Sequence, residues 1–266
     1  MMPAWLSVRG LGVWMPGFPT VDSWRNRRRL AESEAPEPRL PARLRRRTSL
    51  LVRMVADVAG QACQQAGVSL AGLPVVVGSA FGELGTTMEM LDELETSREV
   101  SPFRFHNSVH NTAVGYLSIA HENRAPCTSL AGGDDTAAMV LQEAGALLAF
   151  RGGDVLVVVA DEVLPEAIGG RGTVPFSAAA VLRAAGSANA EAPGTLAWTG
   201  NLRQTRDAAS PLERGVGDPS PGQRFLDFVA AVADAAERGL AGTVALTAGG
   251  ASRWSITVAP TRPSGA

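Results

Sequence analysis

The chain contains no lysine; all 24 of its basic side chains are arginine. That excludes a Schiff-base or any other lysine-centred mechanism from the outset. Cysteine is scarce, with Cys63 and Cys127 the only two. Two thiols make no disulfide framework, so the expected compartment is the reducing cytoplasm. The histidines are three, His106, His110 and His121. A formal net charge of −2 over 266 residues offers no basic face of the kind nucleic-acid binding needs. The opening MMPAWLSVRGLGVWMPG has no basic start and carries Arg9 inside its apolar run, so neither a signal peptide nor a membrane span is expected there. What is present suits a globular protein: 45% hydrophobic and 19% charged residues, on a chain long enough to bury a core.

Residues 6–13 predict an opening strand. A polar stretch rich in arginine and proline follows over 22–47. Its clusters, Arg25 with Arg27 to Arg29 and Arg43 with Arg45 to Arg47, read as a solvated face with the charge to attract an acidic partner. From Thr48, apolar Leu51, Val55, Val58, Ala59 and Ala62 recur at helical spacing until Gly67 closes the pattern; Cys63 on that helix reads as a small buried side chain. LPVVVGSAFGELG predicts a buried strand running into a glycine turn. TTMEMLDELE predicts a helix with Thr86 near its cap and Met88 and Met90 as packing. SVHNTAVGYLSIAHENRAPC predicts a helix ending near Asn123, with a strand over 127–131 after it. Ala137, Val140, Leu141, Ala144, Leu147 and Leu148 form one apolar helical stripe. GDVLVVVADE is an apolar strand that needs cover on both faces, as in a layered α/β core. Further on, FSAAAVLRAAG and GTLAWTG suggest a strand pair, and 204–223 a loop rich in charge, glycine and proline. RFLDFVAAVADAAERG reads as a helix, and TVALTAG and RWSITVAP as two closing strands.

LAGGDDTAAMVLQEAGALLA, residues 130–149, reads as strand, tight glycine turn and helix, an arrangement that presents nucleophiles in many enzymes. Here the turn offers Gly132, Gly133, Asp134 and Asp135. Adjacent carboxylates repel, and at a helix N-terminus both are stabilised as anions, which leaves them poor general acids. Capping of the helix by Asp134 is the simpler expectation.

Three segments together resemble the ketosynthases of the thiolase-fold superfamily. VVVGSAFGELG resembles their strand and glycine-rich turn, VSPFRFHNSVHNTAVGYLSI their dimer-interface segment, and RAPCTSLAGGDDTAAM their nucleophile elbow. SVHN-x-x-x-G-x-L-S-I, A-G-x-D and ADE-x-L-P resemble a narrower group, the short chain-length-factor-like proteins of aryl-polyene and related pigment synthases. The resemblance covers roughly 6–165. It implies a single α/β domain over 1–266, layered α-β-α-β-α, with an N-terminal thiolase-like half at 6–165 and a truncated second half at 166–266.

The resemblance also places Asp134 where a ketosynthase has its cysteine. Decarboxylative condensation needs a thiolate to carry the acyl group, and histidines to stabilise enolate and thioester oxygens. The family holds those histidines, with a structural lysine, after the elbow, whereas all three histidines here precede it. A non-catalytic subunit is implied, without cofactor or metal, paired with an active ketosynthase and acting on chains borne by an acyl carrier protein. Phe103, Phe105, His106, Val109, His110 and Asn111 are then expected at the acyl tunnel and subunit interface, with packing and gating both open as roles for His110. The competing expectation is an independent thiolase-fold acyltransferase or hydrolase using Asp134, Asp135 or Cys127.

Overall fold

The structure, a computed structural model, describes residues 6–31, 35–37, 39–46, 48–165, 173–184, 198–205, 221–247 and 253–260. Most of the loop predicted over 204–223 lies outside the described residues.

Strand β1 (Leu6–Trp14) opens the fold, with a register slip between Val8 and Gly10. Arg9 sits at that bulge and sends its guanidinium to Asp154 at 2.9 Å. Short helices α1 (Val21–Arg25) and α2 (Ala42–Arg45) lead to the long helix α3 (Leu50–Ala66). The Ser49 hydroxyl caps α3 by accepting from Val52 N–H, and Gly67 ends it in the left-handed region. Helix α3 lies directly on β1. A Cβ at Gly10 would stand 2.1 Å from the Ala62 carbonyl oxygen, and one at Gly12 2.3 Å from that of Val58, so only glycine permits the approach.

Strand β2 (Val75–Gly78) is followed by α4 (Leu84–Ser97), α5 (Pro102–Asn107) and α6 (Thr112–Ala120). The helix expected from 108 to near Asn123 is α6, which starts later and stops earlier, and α5 before it was not expected. Pro102 starts α5 as a separate element, and the Thr112 hydroxyl donates to the carbonyls of Asn107 and Val109 at the break. Beyond α6, Glu122 adopts φ 51° and Asn123 spends its side chain on Leu73 O, Gly72 N–H and Ala125 N–H. Helix α4 has Glu83 as its N-cap residue, with Thr86 close by in the first turn, as expected.

Strand β3 (Cys127–Leu130), helix α7 (Thr136–Arg151) and strand β4 (Asp154–Asp161) complete the first half. Then come β5 (Phe176–Ala184), β6 (Trp198–Thr205), α8 (Arg224–Arg238), β7 (Gly242–Ala245) and β8 (Arg253–Pro260). The sheet order is β3-β2-β4-β5-β1-β6-β8-β7, with β2 parallel to both β3 and β4. The expected pairing of β5 with β6 does not form. Strand β5 is buried over its first seven residues and needs neighbours on both edges; β4 and β1 supply them. Strand β6 meets β1 through the single pair Leu6–Gly200 and pairs along its length with β8.

Two apolar clusters lie on opposite faces of the sheet. Leu51, Val55, Val58 and Ala62 of α3, with Val114 and Leu117 of α6, fill one. Val140, Leu141 and Leu148 of α7, with Phe225, Phe228 and Val232 of α8, fill the other. Each fully buried Val, Leu or Phe contributes about 1.5–3 kcal/mol, which makes these faces the main source of stability. Among the described residues, no helix is long and apolar enough to cross a membrane.

Candidate functional site

The elbow forms where the sequence places it. After β3 the chain makes a short 3-10 turn at Gly133–Asp135 and enters α7. Thr136 holds the turn: its hydroxyl accepts from Gly132 N–H at 3.1 Å and donates to Gly133 O at 2.7 Å. Asp134 does not cap α7. The N-cap residue is Asp135, without a side-chain capping bond, and its Oδ1 accepts instead from the Thr247 hydroxyl at 2.9 Å. A neighbouring threonine hydroxyl satisfies the turn, so the acid is left for a tertiary bond. The short turn Pro221–Gln223 packs on the elbow, and a Cβ at Gly222 would stand 2.9 Å from Asp161 Oδ2.

The histidines and thiols serve elsewhere. His110 Nε2 lies 2.9 Å from Ser79 O, and its Nδ1 lies 3.1 Å from Ser129 Oγ. His106 lines a surface groove, and His121 ends α6, where burial holds its pKa below the usual value. Cys127 opens β3, about 10 Å along the strand from its last residue. Burial raises its thiol pKa, and burial aided by the Asp154 charge pushes Cys63 up to about 12. Neither is an activated thiolate.

The groove is a cavity of about 490 Å³ between α2, α5 and α6. Phe103, His106, Val109 and Asn111 line it as part of the segment singled out above, together with Arg43, Leu44, Tyr116 and Ile119. Phe105 and His110 do not line it. Phe105 is 63% exposed, and the His110 ring is drawn into the fold by its two serine partners. Phe103, Val109 and Ile119, at 42%, 45% and 60% exposure, make the rim apolar. Arg104 pairs with Glu89 and Glu93 and so fixes α5 to α4. Of the arginine clusters, Arg25 is partly buried against Asp234 and Glu237 rather than solvated, whereas Arg43, Arg45 and Arg46 are exposed.

A buried carboxylate set behind the glycine turn was not legible as a site from sequence. Asp161 Oδ1 accepts from the Ser79 hydroxyl at 2.7 Å and Ala80 N–H at 2.8 Å. Glu83 accepts from the Ser49 hydroxyl at 2.8 Å and from Thr86 at 3.3 Å. Burial, with the Glu162 charge adding, pushes Glu83 up to about 7. Glu162 accepts from Leu51 N–H at 2.8 Å, and burial raises its pKa too. The only sequence signal for these acids was their position in the glycine turn after β2, in GELG, and at the end of β4, in ADE.

Elbow and sheet order together define a ketosynthase-like protein of the thiolase fold. The chain belongs to the beta-ketoacyl synthase family: the family model for the beta-ketoacyl synthase N-terminal domain matches residues 22–247. No curated protein matches it by sequence. Solved structures do match by fold. The complex of the ketosynthase ApeO with its chain length factor ApeC from Xenorhabdus doucetiae superposes with a TM-score of 0.68 at 19% identity, over 95% of this chain and 98% of that chain. The ishigamide ketosynthase/chain length factor gives 0.70 at 16% identity, over 97% and 99%. A beta-ketoacyl synthase from Burkholderia phymatum STM815 gives 0.73 at 11% identity, over 98% and 100%.

Proposed function

We propose that this chain is a non-catalytic chain-length factor. It pairs with an active beta-ketoacyl-ACP synthase in the cytoplasm, in polyene-forming or fatty-acid-like type II polyketide biosynthesis. The observation that carries the reading is the elbow: the turn between β3 and α7, which the resemblance matches to the nucleophile turn of ketosynthases, offers Asp134 and Asp135, and Asp135 accepts from the Thr247 hydroxyl. A carboxylate there offers no thiolate to hold an acyl chain. The two thiols are suppressed by burial, which speaks against the independent acyltransferase reading as well.

Two surface features support pairing. Strand β3 is the edge of the sheet, hydrogen-bonded only to β2 among the described residues, and an open edge is a template for another strand. The apolar rim of Phe103, Val109 and Ile119 gives the same partner a surface to bury. The exposed Arg43, Arg45 and Arg46 beside the groove match the acidic character expected of a carrier protein, which the pair as a whole would engage.

The test is co-production with a ketosynthase encoded next to this chain, followed by purification and native mass measurement. A one-to-one complex whose activity needs both subunits supports the proposal. A ketosynthase that purifies alone and makes the same product without this chain overturns it.

A further inference from the structure

His110 lies in the linker between α5 and α6, next to Val109, yet the two side chains part company. Val109 faces the groove. The His110 ring turns the other way and is gripped from two adjacent strands. Its Nε2–H donates to the Ser79 carbonyl at 2.9 Å, just past the end of β2. A carbonyl only accepts, so Nε2 carries the hydrogen. Nδ1, unprotonated in that tautomer, faces the hydroxyl of Ser129 on β3 at 3.1 Å, and the same hydroxyl lies 2.9 Å from the His110 carbonyl, so its single proton goes to one of the two acceptors at a time. Ring and backbone of one residue are therefore both tied to the sheet.

The ties continue inward. The Ser79 hydroxyl donates to Asp161 Oδ1 at 2.7 Å and accepts from Gly82 N–H at 2.8 Å. Gly82 has φ 59°, and a Cβ there would meet His110 Cδ2 at 2.8 Å, so the ring also occupies the space that this glycine leaves. A continuous set of bonds runs from the end of β4, through Ser79, to the residue beside the groove wall. Neighbouring side chains along an extended or turning backbone point apart, so holding His110 inward holds Val109 outward.

We propose that His110 is a positioning residue: it touches no acyl chain itself, but sets the depth at which Val109 and His106 wall the groove, and so the length at which the chain stops growing. This rests on the chain-length reading above. The side chain acts as a peg whose hydrogen-bond donor, rather than its bulk, fixes the wall.

The test uses the complex with the active ketosynthase, measuring complex yield and product length on the same samples. His110→Leu keeps volume but loses both ring partners. His110→Gln keeps an amide N–H able to reach Ser79 O. Ser129→Ala removes one ring partner together with the tie to the His110 carbonyl, and leaves the ring. Val109→Phe alters the wall directly. The expected result is a roughly twofold to tenfold change in the ratio of the two longest products for His110→Leu, the range a lost hydrogen bond gives. A smaller change in the same direction is expected for Ser129→Ala, and lengths close to wild type for His110→Gln. Adding Ser129→Ala to His110→Leu should shift lengths by less than Ser129→Ala does alone, because only the tie to the carbonyl of residue 110 is then left to lose. Wild-type lengths in assembled His110→Leu complexes, while Val109→Phe shifts them, overturn the positioning role and leave the chain-length reading standing. Fixed lengths with Val109→Phe as well overturn that reading itself. If His110→Leu does not assemble, Ser129→Ala decides, and wild-type lengths there overturn the proposal. A His110→Gln variant that behaves like His110→Leu overturns it too.

Discussion

The Thr247 hydroxyl donates to Asp135 at 2.9 Å and accepts from Trp254 N–H at 3.0 Å. One threonine thereby fastens the acid of the elbow to the two closing strands, which in sequence lie more than a hundred residues away. The bond holds two parts of the fold together.

Removing that hydroxyl should therefore cost stability. Thr247→Val leaves Asp135 short of a donor and Trp254 N–H short of an acceptor. A loss of about 1–3 kcal/mol is expected in chemical denaturation, with Thr247→Ser close to wild type. A Thr247→Val variant as stable as the parent would show the bond to be idle.

The purified chain should accept no acyl group. Intact mass after incubation with acyl- or malonyl-carrier protein is expected to stay that of the unmodified chain, and Cys127→Ala should leave the activity of the complex unchanged. Asp134→Cys should not confer condensation either, because the histidines are committed to other places. An acyl adduct on the wild-type chain would contradict the proposed function directly.

Glu83 should make stability fall with pH. Burial raises its carboxyl from the ordinary 4.5 to about 7, so the fold favours the neutral acid. Below pH 4.5 there is no penalty; it grows as pH rises through 4.5 to 7 and is complete above about 7. At 1.36 kcal/mol per pH unit the displacement is worth about 3 kcal/mol. Glu83→Gln keeps an oxygen for Ser49 and Thr86 without the charge. It should melt higher than the parent at pH 8 and match it near pH 4.5. Equal melting temperatures at pH 8 would refute the assignment.

Gly82→Ala should be among the costlier single-methyl changes in the protein. It combines φ 59° with the 2.8 Å approach to His110, and strained positions of this kind cost about 1–3 kcal/mol. Thermal melts measure the cost. A neutral result would mean that the His110 ring moves freely.

Much of the fold was legible because it is written in local pattern. The stripe of Val140, Leu141, Ala144 and Leu148, the apolar run of β4, and Gly67 and Gly239 at helix ends each follow from residue spacing and backbone preference. The elbow was legible for the same reason, since a strand, a glycine pair and a helix are contiguous. Helix α5 and the late start of α6 were not, because they depend on Pro102 and on where the Thr112 hydroxyl goes rather than on hydrophobic period.

The sequence alone determined which reactive groups the chain has: no lysine, every histidine before position 134, an aspartate at it, and thiols at Cys63 and Cys127 only. Only the tertiary structure decided who holds whom. Asp135 goes to Thr247 rather than to its own helix, β1 comes between β5 and β6, and His110 turns into the sheet while Val109 faces the groove. Each of these is a choice among several hydrogen-bond partners or neighbours of similar local merit, and burial in a packed core, which spans distant parts of the chain, selects one of them.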